Sequence, residues 1–171
     1  GRGTDTLLGD AGDDVIWGNS GAISDSQSTG DSLDGGDGSD ILHGTNQGDT
    51  LYGGSDSSAD TLYGYGGSDS IEGGSGSDLL DGGSGNDTIY GHSDGAGSVH
   101  TDTIRGGDGN DWIQGSTDAD DLQGEVGDDQ VYGGNGADDI TGGSGDDTLS
   151  GEYGDDNVTG DEGADFLTGN A

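Results

Sequence analysis

The sequence predicts an all-β fold: a right-handed parallel β-roll, in which coils of 18 residues build two parallel sheets of short strands. The first observation is the nine-residue pattern G-G-x-G-x-D-x-U-x, with U aliphatic, which is clearest at residues 73–81, 82–90 and 142–150. A short fixed period of this kind is typical of a solenoid, in which each unit packs on its neighbours. The second is the absence of a 3.6-residue apolar periodicity in a chain with 43 glycines among 171 residues, which argues against helix.

The repeat register divides the chain into one continuous array over residues 1–171, which we interpret as a single domain. A partial repeat spans residues 1–8, sixteen repeats span residues 9–168, and residues 169–171 begin another. Thirteen repeats are nine residues long, and three carry insertions, near residues 19–29, 55–59 and 92–101. The Asp-x-U signal resumes after each insertion, so the insertions are expected in loops. The start in mid-repeat, without Met, suggests a fragment or a processed product.

Each repeat divides into a loop and a strand. Glycine at the first, second and fourth positions favours a tight turn. The last three residues, such as those at 88–90, favour β-structure and point outward, inward and outward in turn. The inward residues are Leu7, Ile16, Leu33, Leu42, Leu51, Leu62, Ile71, Leu80, Ile89, Ile104, Ile113, Leu122, Val131, Ile140, Leu149, Val158 and Leu167. Two repeats make one coil with a strand on each side, so stacked coils enclose a narrow aliphatic core.

Alternate repeats fall on the same edge of such a roll, which sorts the invariant aspartates into two rows. One row contains Asp5, Asp31, Asp49, Asp69, Asp87, Asp111, Asp129, Asp147 and Asp165. The other contains Asp14, Asp40, Asp60, Asp78, Asp102, Asp120, Asp138 and Asp156. Consecutive members of a row are expected about one strand spacing apart, where like charges repel unless a cation lies between them. Carboxylate and carbonyl oxygens favour Ca²⁺ over Mg²⁺, so all seventeen aspartates are candidate calcium ligands.

Composition supports a need for cations. The chain carries 37 acidic residues and 2 basic ones, a net charge of −35, and only 24% of its residues are hydrophobic. Such a composition is typical of disordered chains. The gaps within the two rows allow at most about fifteen bridging ions, whose charge of about +30 would nearly balance the chain. We therefore expect the chain to be disordered without calcium and to fold as it binds calcium.

The nonapeptide resembles the RTX, or hemolysin-type, calcium-binding repeat over essentially the whole chain. The resemblance implies that the aspartates and loop carbonyls of repeats i and i+2 bridge each ion. It also implies a bacterial protein that is exported by type I secretion and folds in extracellular calcium. The leading interpretation is thus a non-catalytic calcium-binding β-roll of a secreted protein. The alternatives are a segment of a calcium-dependent extracellular fibre, surface layer or adhesin, and, third, an accessory domain of a secreted enzyme.

Other function classes find little support. Two basic residues cannot neutralise phosphates, so nucleic acid is excluded as a partner, and no apolar run is long enough for membrane insertion. The chain has no cysteine. Residues 91–95 match the G-x-S-x-G nucleophile pattern, but they lie in an insertion between strands, where the match is expected by chance. The three histidines, His43, His92 and His100, lack metal-ligand spacing, although an accessory ion at the 92–100 loop stays an alternative.

Some features distinguish individual repeats. Repeats 44–52 and 115–123 depart from the glycine pattern, and repeats with insertions contain Asp60 and Asp102, so calcium binding beside Asp60, Asp102 and Asp120 is in doubt. The regular row from Asp69 to Asp165 is expected to be the best occupied. Two outward faces are rich in apolar and aromatic residues. One is a candidate surface for self-association, beside end-to-end stacking, and consists of Val15, Trp17, Ile41, His43, Tyr63 and Leu79. The other consists of Tyr52, Tyr90, Trp112, Tyr132 and Phe166.

Overall fold

A computed structural model describes residues 4–18, 30–92 and 100–169, and these form seventeen β-strands and no helix. The odd-numbered strands make a nine-stranded sheet in the order β1-β3-β5-β7-β9-β11-β13-β15-β17, and the even-numbered strands make an eight-stranded sheet in the order β2-β4-β6-β8-β10-β12-β14-β16. All neighbours within a sheet are parallel. The predicted fold class, a parallel roll of two sheets with about 18 residues per coil, is confirmed.

The strand bounds follow the repeat closely. The first sheet contains β1 (Thr6–Leu8), β3 (Ser32–Gly36), β5 (Thr50–Gly54), β7 (Ser70–Gly74), β9 (Thr88–Tyr90), β11 (Trp112–Gln114), β13 (Gln130–Asn135), β15 (Thr148–Tyr153) and β17 (Phe166–Thr168). The second contains β2 (Val15–Trp17), β4 (Ile41–His43), β6 (Thr61–Gly66), β8 (Leu79–Ser84), β10 (Thr103–Asp108), β12 (Asp121–Val126), β14 (Asp139–Ser144) and β16 (Asn157–Glu162).

Many strands are longer than the three residues that the sequence predicts. They continue through the first glycines of the following loop, because the backbones of stacked loops also pair, as between Gly107 and Gly83. Three residues, at the fourth to sixth loop positions, connect a six-residue strand such as β10 to the next strand, and the aspartate is the last of them. The loops therefore stack as regularly as the strands do, which is what aligns the aspartates in rows.

The core is a double column of aliphatic side chains, one from each strand. The predicted inward residues face each other in register, for example Leu62, Leu80 and Ile104 on neighbouring strands. From Leu33 to Leu149 these side chains are at most 1% exposed. At the ends of the stack Leu7 and Val158 are only partly buried, and Leu167 is 43% exposed. The core of the roll is thus one aliphatic side chain thick on each side.

The insertions do not interrupt the two sheets that enclose this core. Residues 55–59 lie in the loop between β5 and β6. The insertions at residues 19–29 and, for the most part, at 92–101 lie outside the described residues, but the strands that flank them, β2 with β3 and β9 with β10, keep their places in the two sheets. In the part of the chain that the structure describes, no helix is long and apolar enough to cross a membrane.

Candidate metal centre

The sixth-position aspartates lie in two rows, one along each edge of the roll, with the membership that the sequence predicts. Each aspartate immediately precedes the strand of its repeat, so the strand order of the two sheets is also the order of the rows. From Asp31 to Asp147 the described aspartates of both rows are buried, with at most 3% of their surface exposed. Burial of carboxylates on this scale is unusual unless each has a partner of opposite charge or several hydrogen bonds.

One oxygen of each carboxylate after the first in its row accepts a hydrogen bond. Oδ1 accepts the backbone N–H of the aspartate one coil earlier, for example Asp87 N–H to Asp111 Oδ1 at 2.8 Å. Among the described residues eight such bonds form one row, and seven form the other, all at 2.6 to 3.1 Å. This ladder was not predicted from the sequence. It gives the aspartate a structural role in coil stacking, independent of any ion.

The second carboxylate oxygen, Oδ2, lacks such a hydrogen bond in most of the described aspartates. Within the described residues, a buried Oδ2 atom without a hydrogen-bond partner belongs to Asp14, Asp40, Asp60, Asp69, Asp87, Asp102, Asp111, Asp129, Asp138, Asp147 and Asp156. A buried carboxylate oxygen without a donor costs free energy, so a native row of them calls for a ligand. Because a carboxylate oxygen is only an acceptor, that ligand must be a cation, a proton or a hydrogen-bond donor such as water.

Glycine at the first loop position makes room for this oxygen. A Cβ atom added to Gly53 would lie 2.6 Å from Asp60 Oδ2. A Cβ atom added to Gly64 would meet Asp69 Oδ2 from the same loop and, at 2.6 Å, the carbonyl oxygen of Gly82 in the next coil. The carboxylate and a backbone carbonyl of the adjacent coil therefore converge on one small space. An all-oxygen set of this kind suits a hard divalent cation and fits calcium.

Electrostatics also disfavour the bare charged state. Burial raises the pKa of Asp69 and of Asp102 to about 8, and the neighbouring carboxylates of the same row add to the rise, while a backbone N–H opposes it. The pKa values of Asp60 and Asp111 are raised to about 7 for the same reasons. Near neutral pH such groups are stable in the folded roll only with a bound proton or a neutralising cation.

Asp49 and Asp120 differ from the eleven described aspartates that have an unpartnered Oδ2. Oδ2 of Asp49 accepts hydrogen bonds from the backbone and hydroxyl of Thr45, and Oδ2 of Asp120 accepts one from the backbone of Ser116. The sequence analysis identified both repeats as irregular, but from loop positions other than the second. The informative signal was a hydroxyl residue at the second loop position. Asp60 and Asp102, which were in doubt because of insertions, accept the same ladder bond at Oδ1 and have the same unpartnered Oδ2 as Asp69 and Asp87.

Other candidate ligands do not add to these rows. Among residues 4–18, 30–92 and 100–169, no three His, Cys, Asp or Glu side chains gather around one point. A site here therefore combines one or two carboxylates with backbone carbonyls. His43 is stacked between Trp17 and Tyr63 on the outer face and contacts the Tyr65 hydroxyl at 2.9 Å. His92 is exposed beside Glu72, and residues 93–95 of the nucleophile-like segment lie outside the described residues.

Comparison with known families gives one result. The model of the RTX calcium-binding nonapeptide repeat matches residues 1–22, 27–58, 56–89, 97–131, 114–149 and 132–167, which together cover most of the chain. The matched segments contain all seventeen predicted aspartates. A comparison with curated proteins found no match.

Proposed function

Since the chain belongs to the RTX calcium-binding nonapeptide repeat family, we propose that it is the non-catalytic, calcium-binding β-roll of a secreted bacterial protein, and that it folds as it binds calcium outside the cell. RTX repeats in a β-solenoid indicate a calcium-binding structural domain. The observation that carries the proposal is the row of buried Oδ2 atoms, which lack a donor and face backbone carbonyls of the adjacent coil.

The proposed ligands are the seventeen aspartates of the two rows, with carbonyl oxygens of the glycine-rich loops. Bound calcium would supply the positive charge that these buried oxygens lack. The chain supplies the rest: Oδ1 holds each carboxylate to the coil before it, first-position glycine lets Oδ2 approach the loop backbone, and the aliphatic column fixes the coil spacing. The row from Asp69 to Asp147 contains five consecutive aspartates with an unpartnered Oδ2. We propose that this row has the highest occupancy.

Folding coupled to calcium follows from the charge balance. A chain with net charge −35 and 24% hydrophobic residues has little apolar surface to offset ordering and self-repulsion. The proposed maximum of about fifteen ions would contribute about +30. Anything that binds only the folded state stabilises it by mass action, and many weak sites acting together give a steep transition.

Circular dichroism tests this proposal. The chain is first measured with a chelator at neutral pH and then titrated with CaCl₂, with MgCl₂ as the matched control. We expect a disordered spectrum that becomes a β spectrum in calcium and not in equal magnesium. A strong β spectrum in the chelated sample would contradict calcium-coupled folding. A midpoint near 10⁻⁴–10⁻³ M, on the order of that of extracellular calcium modules, would support secretion, whereas a midpoint below about 10⁻⁶ M would oppose it.

A second candidate function is that of a structural protomer in an extracellular fibre, surface layer or adhesin. One outer face favours it: Val15 is 59%, Trp17 51% and Ile41 37% exposed on neighbouring strands, and Trp17 continues into the stacked rings of His43 and Tyr63. Adjacent exposed apolar side chains suit lateral packing of copies. Light scattering in calcium would show a larger particle that Trp17→Ser with Ile41→Ser dissociates. A monomer at every concentration would reject this function.

A further inference from the structure

Two loops of the roll close on their own aspartate, one on each edge. In the loop at residues 44–49, Asp49 Oδ2 accepts the backbone N–H of Thr45 at 2.5 Å and its hydroxyl at 2.9 Å. In the loop at residues 115–120, Asp120 Oδ2 accepts the backbone N–H of Ser116 at 2.6 Å. In both loops the second-position hydroxyl oxygen also accepts the N–H of the fourth residue, Gln47 at 3.1 Å or Asp118 at 3.3 Å. The two loops thus share one hydrogen-bond pattern.

The backbone explains the difference from the regular loops. A regular loop has positive φ at its second position, for example +97° at Gly83 and +116° at Gly143. Thr45 and Ser116 are not among the positive-φ residues. In the ordinary conformation the second N–H turns toward the carboxylate, and the hydroxyl holds the fourth residue in place. Thr is β-branched and resists positive φ, and Ser can bond its own loop backbone, so both residue types favour this closed arrangement.

Loss of glycine alone does not close a loop. Tyr65 and Glu125 also replace the second glycine, but they keep the positive φ of the regular loops, at 72° and 75°. The aspartates of those two loops, Asp69 and Asp129, retain an Oδ2 without a partner in the described part of the chain. The closed state therefore correlates with a hydroxyl residue at the second position and a non-glycine residue at the fourth.

We propose that the loops at residues 44–49 and 115–120 bind no calcium through their aspartate Oδ2. In these loops Thr45 and Ser116 already donate hydrogen bonds to the oxygen that would bind the ion in the other loops. The inference rests on the proposed function and refines it. A carboxylate that already accepts N–H and O–H bonds has less to gain from a cation, since those charge-assisted bonds would have to break first. Each row of calcium sites is thus interrupted at one aspartate, and the chain binds fewer ions than its rows have gaps.

Calcium stoichiometry tests the proposal directly. The variants Thr45→Gly with Gln47→Gly, and Ser116→Gly with Asp118→Gly, restore the regular glycines. The bound calcium per chain is measured by equilibrium dialysis and atomic emission at saturating CaCl₂. We expect each double variant to bind at least one more ion than the wild type, and the combined variant at least two more. Tyr65→Gly is the matched control, because its loop is already open, and its stoichiometry should equal that of the wild type.

The outcomes separate the two proposals. A wild-type chain that binds no calcium would overturn the proposed function itself. A wild-type chain that binds calcium, with folded double variants that bind no more, would overturn this inference alone. If a variant does not fold, a crystal of the wild type grown in calcium gives the answer by anomalous scattering. An ion about 2.3–2.6 Å from Oδ2 of Asp49 or Asp120 would refute the inference, and ions beside Asp69 and Asp129 but not beside these two would support it.

Discussion

Replacement of Asp111 by Asn separates the two roles of the row aspartates. Asp111 is 2% exposed, its Oδ1 accepts the Asp87 N–H at 2.8 Å, and its Oδ2 has no hydrogen-bond partner among the described residues. Asn has nearly the same shape and keeps an oxygen for the Asp87 N–H. It removes the charge and places an amide where Oδ2 was. The variant therefore tests the calcium role of Oδ2 while the ladder is preserved.

The expected effect without calcium is small. Burial raises the pKa of Asp111 from 3.8 to about 7, and at about 1.4 kcal/mol per pKa unit this sets a ceiling of about 4 kcal/mol on the cost of the bare charge. Solvent near the exposed Asn110 screens part of that cost, so we take about 1–2 kcal/mol as the gain from removing the charge. A buried amide without an acceptor costs about 1 kcal/mol or more. The two effects nearly cancel.

The expected effect in calcium is a clear loss. The variant lacks one charged ligand, and a bond to a charged group contributes about 1.5–3 kcal/mol. The neutral amide oxygen is also a weaker acceptor for the Asp87 N–H than the carboxylate is, and this smaller loss applies under both conditions. We therefore expect Asp111→Asn to lower the free energy of unfolding in calcium by about 2–4 kcal/mol, and to change it by about 1 kcal/mol or less without calcium.

Two titrations measure these values. Urea unfolding at saturating CaCl₂ gives the first, and folding induced by trimethylamine N-oxide in chelator gives the second, since that osmolyte favours compact states without binding the sites. Asp155→Asn is the control: Asp155 is exposed, and the same charge change should alter either value by about 0.5 kcal/mol or less. An equal loss for Asp111→Asn under both conditions would show that the carboxylate serves only as a backbone acceptor, and would refute the argument.

Three further predictions concern pH, the core and the loops. Because burial raises the pKa of Asp69 and Asp102 from 3.8 to about 8, the calcium-free roll binds protons that the unfolded chain does not bind, and it loses stability as pH rises from about 4 to 8. Folding induced by trimethylamine N-oxide in chelator should therefore need more osmolyte at pH 8 than at pH 5.5, and a pH-independent midpoint by circular dichroism would contradict this. Leu80→Ala in the buried column should lower the free energy of unfolding, measured with urea in calcium, by about 3–5 kcal/mol. The control Leu167→Ala, at a residue that is 43% exposed, should lower it by about 1 kcal/mol, and equal losses would show that the column is not the core. Gly85→Ala adds a Cβ against the Gly67 carbonyl oxygen at φ +135° and should lower the free energy of unfolding by about 3 kcal/mol or more. The control Gly12→Ala, with positive φ but nothing within 4 Å of the added Cβ, should lower it by about 1 kcal/mol. If Gly85→Ala costs less than Gly12→Ala in the same urea titration, close loop stacking is excluded.

Much of the fold was predictable because the repeat carries redundant information. An aliphatic residue every nine positions requires a buried column, and Asp one position before each strand requires a row on each edge. The paired residues Leu62, Leu80 and Ile104 follow from counting repeats, even across insertions of unpredictable conformation. The outer aromatic groups were predictable in the same way, as the ring contacts of Trp112 with Tyr90 and Tyr132 show.

The site was predictable only in part. The sequence identified Asp111 as a candidate ligand, but not the division of its carboxylate into one oxygen for the backbone of the adjacent coil and one without a donor. Nor could it rank departures from the pattern. Tyr65 and Thr45 each replace the glycine at the second loop position of their repeat, but only the loop that contains Thr45 is closed. That outcome depends on whether a side chain tolerates positive φ or bonds its own loop, which is a matter of local geometry.

By itself, then, the sequence determined the period, the aliphatic column, the membership of the two aspartate rows and the charge of −35 that demands neutralisation. These follow from residue types at fixed spacing, which survive any change in loop conformation. The tertiary structure decided how close the coils lie, which carboxylate oxygens are buried without a donor, and that Asp49 and Asp120 already have donors within their own loops. The first two properties depend on distances of a few ångströms between residues 18 or more positions apart. The third depends on the backbone conformation of a single loop, which the repeat pattern does not specify.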